Sequence, residues 1–161
     1  VSRKRPYTGT KDGAAKGKRP GTELFQRLLC QRFRSTNLGT WVVRDVRGKP
    51  GILSVHATGR AGDTLPKSRK SALELIAFLE HYAELFEVEE IHDYLFDIDG
   101  AGPAVGYGRG WRVGRGWKVW TKTDNGGPGG LWIHWEISPR MADDPKLVRA
   151  AWDRMKKISG S

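Results

Sequence analysis

Four histidines, His56, His81, His92 and His134, occur in this chain of 161 residues, and their surroundings decide which of them could do chemistry. His56 stands seven residues before Asp63 with Gly59 between them, and a tight turn at the glycine would bring imidazole and carboxylate together. His134 lies far downstream in Leu131-Trp132-Ile133-His134-Trp135-Glu136-Ile137. That segment alternates with the period of a strand, placing Trp132, His134 and Glu136 on one side and Leu131, Ile133, Trp135 and Ile137 on the other. Two imidazoles and a carboxylate form the ligand set of a catalytic zinc site, which takes three protein ligands and leaves a position for water or substrate. The ordinary alternative is three unrelated hydrogen-bonded side chains on a sheet. His81 falls on the polar side of an expected helix and His92 alternates with apolar Ile91, so both read as structural.

The elements that must position these residues follow from periodicity. A first helix is expected from a Thr22 cap to about Arg34, with Leu24, Phe25, Leu28 and Leu29 on one face. Trp41 to Val46 reads as a strand, Gly48-Lys49-Pro50-Gly51 as a turn, and Ile52 to His56 as a second extended segment. A Ser71-capped helix carries Ala72, Leu75, Ile76, Leu79, Ala83 and Phe86 at helical spacing. Glu89 to Ile98 reads as a strand, and Gly100 to Gly116 as a glycine-rich loop carrying Arg109, Trp111, Arg112 and Arg115. Asp144-Pro145 starts a C-terminal helix with Leu147, Val148, Ala151, Trp152 and Met155 as its buried stripe. The fold class is α+β, an antiparallel sheet with flanking helices.

Residues 1–21 hold Arg3, Lys4, Arg5, Lys11, Lys16, Lys18 and Arg19 against a lone Asp12, and are expected to be a basic flexible arm preceding a single domain over 22–158. Cys30 is the only cysteine, which excludes an internal disulfide and a cysteine-based zinc knuckle. No export signal and no bilayer-spanning stretch is legible. The formal net charge of +10 admits nucleic acid, an anionic wall polymer or an acidic protein surface as partner.

Ser54-Val55-His56-Ala57-Thr58-Gly59-Arg60-Ala61-Gly62-Asp63 resembles the Ser-x-His-x-x-Gly-x-Ala-x-Asp pattern of the zinc metallopeptidases that cleave D-Ala-D-Ala or L-Ala-D-Glu bonds, with all five fixed positions in agreement. The resemblance spans roughly 41–137 and implies an α+β metal cleft of the hedgehog and DD-peptidase kind. It implies Zn2+ held by His56, Asp63 and His134, with peptidoglycan stem peptides as substrate. Arg60, between the first two ligands, is a candidate for stabilising the oxyanion of amide hydrolysis.

One departure is large. The family places a glutamate three residues before the last ligand, or a histidine two before it, to serve as general base; here Leu131 and Trp132 hold those positions. Glu136 is the nearest substitute on the same strand face, with Asp93 and Asp97 as further candidates, and a slow or inactive enzyme is one expectation. A wall enzyme without an export signal suggests a bacteriophage protein, held in the virion tail or in the host cytoplasm before lysis, and acting at the cell wall. Two other readings stand beside it. One is an inactive minor tail protein whose arm docks other virion proteins. The other is a nucleic-acid-binding protein using the arm with Arg109, Arg112 and Arg115.

Overall fold

A strand from late in the chain lies at the middle of the sheet. The computed structural model describes residues 5–96, 107–121, 124 and 129–161. Within them β1 (Thr36–Gly39), β4 (Ala61–Leu65), β8 (Ile133–Ile137), β5 (Val88–Asp93), β6 (Arg109–Arg112) and β7 (Gly116–Val119) form a six-stranded sheet in that spatial order, every pairing antiparallel. A small hairpin, β2 (Asp45–Val46) with β3 (Lys49–Leu53), stands apart. The helices are α1 (Pro20–Phe33), α2 (Arg69–His81), α3 (Ala83–Phe86), α4 (Pro139–Asp143) and α5 (Pro145–Ser159). The fold is α+β, and no described helix is long and apolar enough to cross a membrane.

Helices and sheet meet because the alternation in β8 and β5 supplies an apolar side. Ile133, Trp135, Ile137 and Ile91 are buried against Phe25, Leu29, Leu75, Phe86 and Trp152. Phe25 meets the Trp135 ring edge-on, with centroids 5.0 Å apart. Gly62, opposite Trp135 in the register, is required there: a Cβ would come within 2.2 Å of the indole. The indole N–H donates to Thr64 Oγ1, so even this core ring has its polar atom paired.

Several boundaries differ from the sequence reading. Helix α1 starts at Pro20, because proline at the first turn has its φ already set and needs no N–H partner; Thr22 is buried within the helix instead of capping it. Ser68, not Ser71, caps α2 by accepting the Ser71 N–H. The helix then breaks at Tyr82, and a left-handed Glu87 turns the chain into β5. Of the expected 41–46 strand only Asp45–Val46 forms a strand, although the Val42 N–H donates to the His56 carbonyl and the Arg44 carbonyl accepts the Ser54 N–H. The glycine-rich stretch contains the β6–β7 hairpin; its part over 100–106, together with Asp97 and Ile98, lies outside the described residues.

The expected flexible arm is, over residues 5–19, laid against the body. Arg60, fully buried, holds it: Nε donates to Asp12 at 3.1 Å, Nη1 to Glu89 at 3.2 Å and to the Ile137 carbonyl, and Nη2 to the Gly9 carbonyl. Thr8 donates its N–H and hydroxyl to Glu89, Tyr7 donates to Glu90 at 2.7 Å, and Arg5 pairs with Glu84. Arg19 bridges Asp12, Asp143 and the Thr58 carbonyl. The segment is held because Asp12, the Gly9 carbonyl and the Thr8 and Tyr7 donors are the partners of Arg60, Glu89 and Glu90, charges buried in the body. Replacing Arg60 by Met would strand the Glu89 carboxylate, and such a loss costs about 3–5 kcal/mol. Urea unfolding of Arg60→Met is therefore expected to show that drop, and wild-type stability would mean the segment is not held this way.

Candidate metal centre

The Ser54–Asp63 motif has a local physical reason at each fixed position. Ser54 Oγ accepts the His56 N–H at the start of a 3-10 turn, Val55–Thr58. Gly59 ends that turn with φ +75°, in the left-handed region that favours glycine. Ala61 is fully buried, and Asp63 then follows on β4, directly opposite His134 of β8. His92 of β5 is opposite His134 on the other side, so one row across three strands reads Asp63, His134, His92. The next row pairs Glu136 with Glu90.

Three ligand groups converge where His56 meets Asp63 and His134 of the first row. His134 Nδ1 is 3.0 Å from Asp63 Oδ1 and 3.1 Å from His56 Nε2, and His56 Nε2 is 3.2 Å from Asp63 Oδ2. Donor atoms bound to a tetrahedral zinc at about 2.0–2.1 Å are themselves roughly 3.3–3.4 Å apart, so this triangle is close to the size that an ion requires. The opposite ring nitrogen of His134, Nε2, lies 3.0 Å from Glu136 Oε1. A carboxylate behind a histidine fixes its tautomer and presents the other nitrogen to a metal. Glu136 therefore occupies the rear of His134 and orients it; the expected role as substitute general base is corrected. Its other oxygen, Oε2, is buried without a hydrogen-bond partner among the described residues.

Charge in the site follows from these contacts. Burial disfavours a charged His134, but hydrogen bonds to Asp63 and Glu136 outweigh it and hold the imidazolium pKa up to about 10. Burial would likewise raise Asp63, yet hydrogen bonds from His134 and His56 hold its carboxyl well below the usual range. A divalent ion would replace the proton that His134 Nδ1 shares with Asp63. His92 stacks on His134 with centroids 4.5 Å apart, and burial together with the His134 charge pushes its pKa down. His92, His134 and Glu136 also form a close group, but it draws on the same His134, whose Nε2 faces Glu136.

The site opens into a cleft of about 380 Å³, whose lining includes Tyr7, Arg44, Ile52, His92, Tyr94 and Trp132. Burial raises the pKa of Tyr94 first of all, and its hydroxyl sits 3.1 Å from His92 Nδ1. His92 thus lines the cleft. Its signal in the sequence was the alternation Glu90, His92, Tyr94, which matches that of His134 and Glu136. Tyr7 reaches the cleft only through the long-range docking of its segment.

Arg60 and Asp93 do not take the roles expected of them. The Arg60 guanidinium is bonded to the N-terminal segment, Glu89 and a backbone carbonyl, so the oxyanion role is corrected. Asp93, fully buried, is paired with Arg69 and Arg109. Leu131 is 61% exposed. The cations proposed for nucleic acid are also held within the chain: Arg109 by Asp93, Arg112 by Glu90, and Arg115 by the Gly110 carbonyl.

No protein-family model matches the chain, and no curated protein or solved structure is significantly similar to it. The site is therefore judged on geometry and chemistry alone. Isothermal titration is expected to find one zinc per chain, lost in His56→Ala and His134→Ala. Glu136→Gln is expected to keep the ion with affinity lowered about 10–100-fold, as is typical when such an outer carboxylate is removed. Because zinc must displace one proton from His134, affinity should rise about tenfold per pH unit up to about pH 10 and level off above it. A titration in which Glu136→Gln matches the wild type would remove the orienting role.

Proposed function

We propose that this domain is a zinc-dependent domain of peptidase type that takes the peptide stems of bacterial peptidoglycan into the cleft over β4, β8 and β5. The observation that carries the reading is the convergence of His56 Nε2, the Asp63 carboxylate and His134 Nδ1 within 3.0–3.2 Å of one another. The sequence motif supplies two of these ligands at the spacing of the D-Ala-D-Ala and L-Ala-D-Glu peptidases. The third comes from a strand that the sheet places beside them.

Zinc in such a site supplies Lewis acidity toward a carbonyl oxygen and lowers the pKa of a coordinated water. The chain's own groups do the rest. His56, Asp63 and His134 hold the ion, and Glu136 keeps the His134 ring turned so that Nδ1 faces it. Arg44, Arg47 and Lys49 place positive charge along the cleft, which suits stem peptides with free carboxylates, while Trp132 and Tyr94 form an aromatic wall. With Leu131 and Trp132 at the base positions, hydrolysis runs without the roughly 10²–10⁴-fold that general acid–base assistance contributes.

That same departure favours one second reading, stem-peptide binding without cleavage on the same scaffold. A single assay separates the two: release of peptide fragments from purified peptidoglycan, with and without a chelator. Slow, chelator-sensitive release is expected from the wild type. Trp132→His, which puts an imidazole at a base position that lines the cleft, is expected to raise it by about 10-fold or more, toward the rate of an enzyme with a base. Absence of chelator-sensitive release from both proteins would remove the hydrolytic claim and leave binding.

A further inference from the structure

The helical side of the molecule, away from the cleft, has a charge pattern that the metal site does not explain. In β8, Ile133, Trp135 and Ile137 face the helices, and His134 and Glu136 face the cleft, so the two functional sides are separated by the sheet itself. α5 exposes Lys146, Arg149, Arg154, Lys156 and Lys157, and its only acid is Asp153, which pairs with Lys156 at 3.5 Å. The neighbouring α1 exposes Arg27 and Arg32, and its C-cap Arg34 is exposed as well; the only acid in α1 is Glu23. Acidic side chains fall on the other helices instead, as Glu74 and Glu80 of α2 and Glu84 of α3, where Glu80 and Glu84 accept from Trp117 and Arg5.

We propose that the α1–α5 face docks a linear phosphodiester polymer of the bacterial wall, a polyol phosphate, and so anchors the domain while the cleft on the opposite side engages stem peptides. The choice of wall polymer rests on the peptidase reading. The shape of the patch favours a chain of anions over a single phosphate. From Lys146 to Lys156 the cations recur along about 15 Å of helix, at a rise of about 1.5 Å per residue, on an otherwise exposed side. Asp153 offsets Lys156 in part, but the cations left over repel one another, and a polyanion relieves that repulsion on binding. The shallow depression beside Lys156 and Lys157 is also lined by Asp153, which disfavours a lone anion there, whereas an extended polymer spans the whole row.

The test is co-sedimentation of the full chain with purified walls that retain their polyol phosphate and with walls from which it has been extracted. The wild type is compared with Arg149→Glu/Lys156→Glu/Lys157→Glu. Retention is expected to fall by about tenfold or more on extracted walls, in the triple variant, or as salt is raised, since the attraction is screened electrostatics. The triple variant is expected to bind zinc like the wild type. Equal retention on intact and extracted walls overturns the proposal, as does unchanged retention of the triple variant. Tighter binding of duplex DNA than of the isolated polymer at equal salt also overturns it. If zinc is not bound but wall retention still depends on the basic face, the docking proposal stands and the peptidase reading falls.

Discussion

The register that sets Asp63, His134 and His92 side by side across β4, β8 and β5 is the constraint on which the rest of the molecule depends. Side chains alternate along a strand, so a shift of one residue in β8 would bury His134 and Glu136 against the helices and expose Trp135. The apolar side prevents this. Trp135, fully buried, fits over Gly62 and against Phe25, and no slipped alignment offers that fit. The core thus fixes the chemistry indirectly, because packing on one side of the sheet specifies which polar atoms meet on the other.

The polar side is a network in which acids outnumber the groups that can neutralise them. Asp63 and Glu136 flank His134, Glu90 is held by Tyr7, His92 and Arg112, and Glu89 by Arg60 and Thr8. Burial of this much negative charge is tolerable only with cations in contact. Arg60 and Arg112 serve two of the carboxylates, the imidazolium of His134 serves another two, and a divalent ion in place of its proton would serve them more strongly. The N-terminal segment belongs to the same balance, since Arg60 reaches across the sheet to Asp12 and Gly9.

Much of this was legible in the residues themselves. The spacing of His56, Gly59 and Asp63 and the alternation around His134 singled out three side chains that the fold does bring together, because short-range geometry governs both segments. The roles of Arg60 and Glu136 were not legible. Sequence places Arg60 between two ligands, but which side of the strand its long side chain takes depends on the buried Glu89 and on a segment some fifty residues away. Glu136 shares a strand face with His134, yet only the ring orientation shows that it lies behind the imidazole. The docked state of residues 5–19 was hidden for the same reason: local composition there is that of a solvated tail, and the partners that hold it to the body, Arg60, Glu84, Glu89, Glu90 and Asp143, are distant in sequence. The β6–β7 hairpin was read as loop because Gly110, Gly114 and Gly116 mask a short pairing that the neighbouring β5 stabilises.

The central position of β8 also governs the order in which the molecule can be made. On a ribosome, β4 and β5 emerge well before residues 133–137, and neither can complete its pairing until β8 enters between them. The nascent chain must therefore hold two half-finished strands with unpaired backbone edges until residues 133–137 have been synthesised. Contacts so distant in sequence close slowly. The interval exposes sticky edges, so this domain's yield in a cell depends on how well translation and chaperones protect that gap.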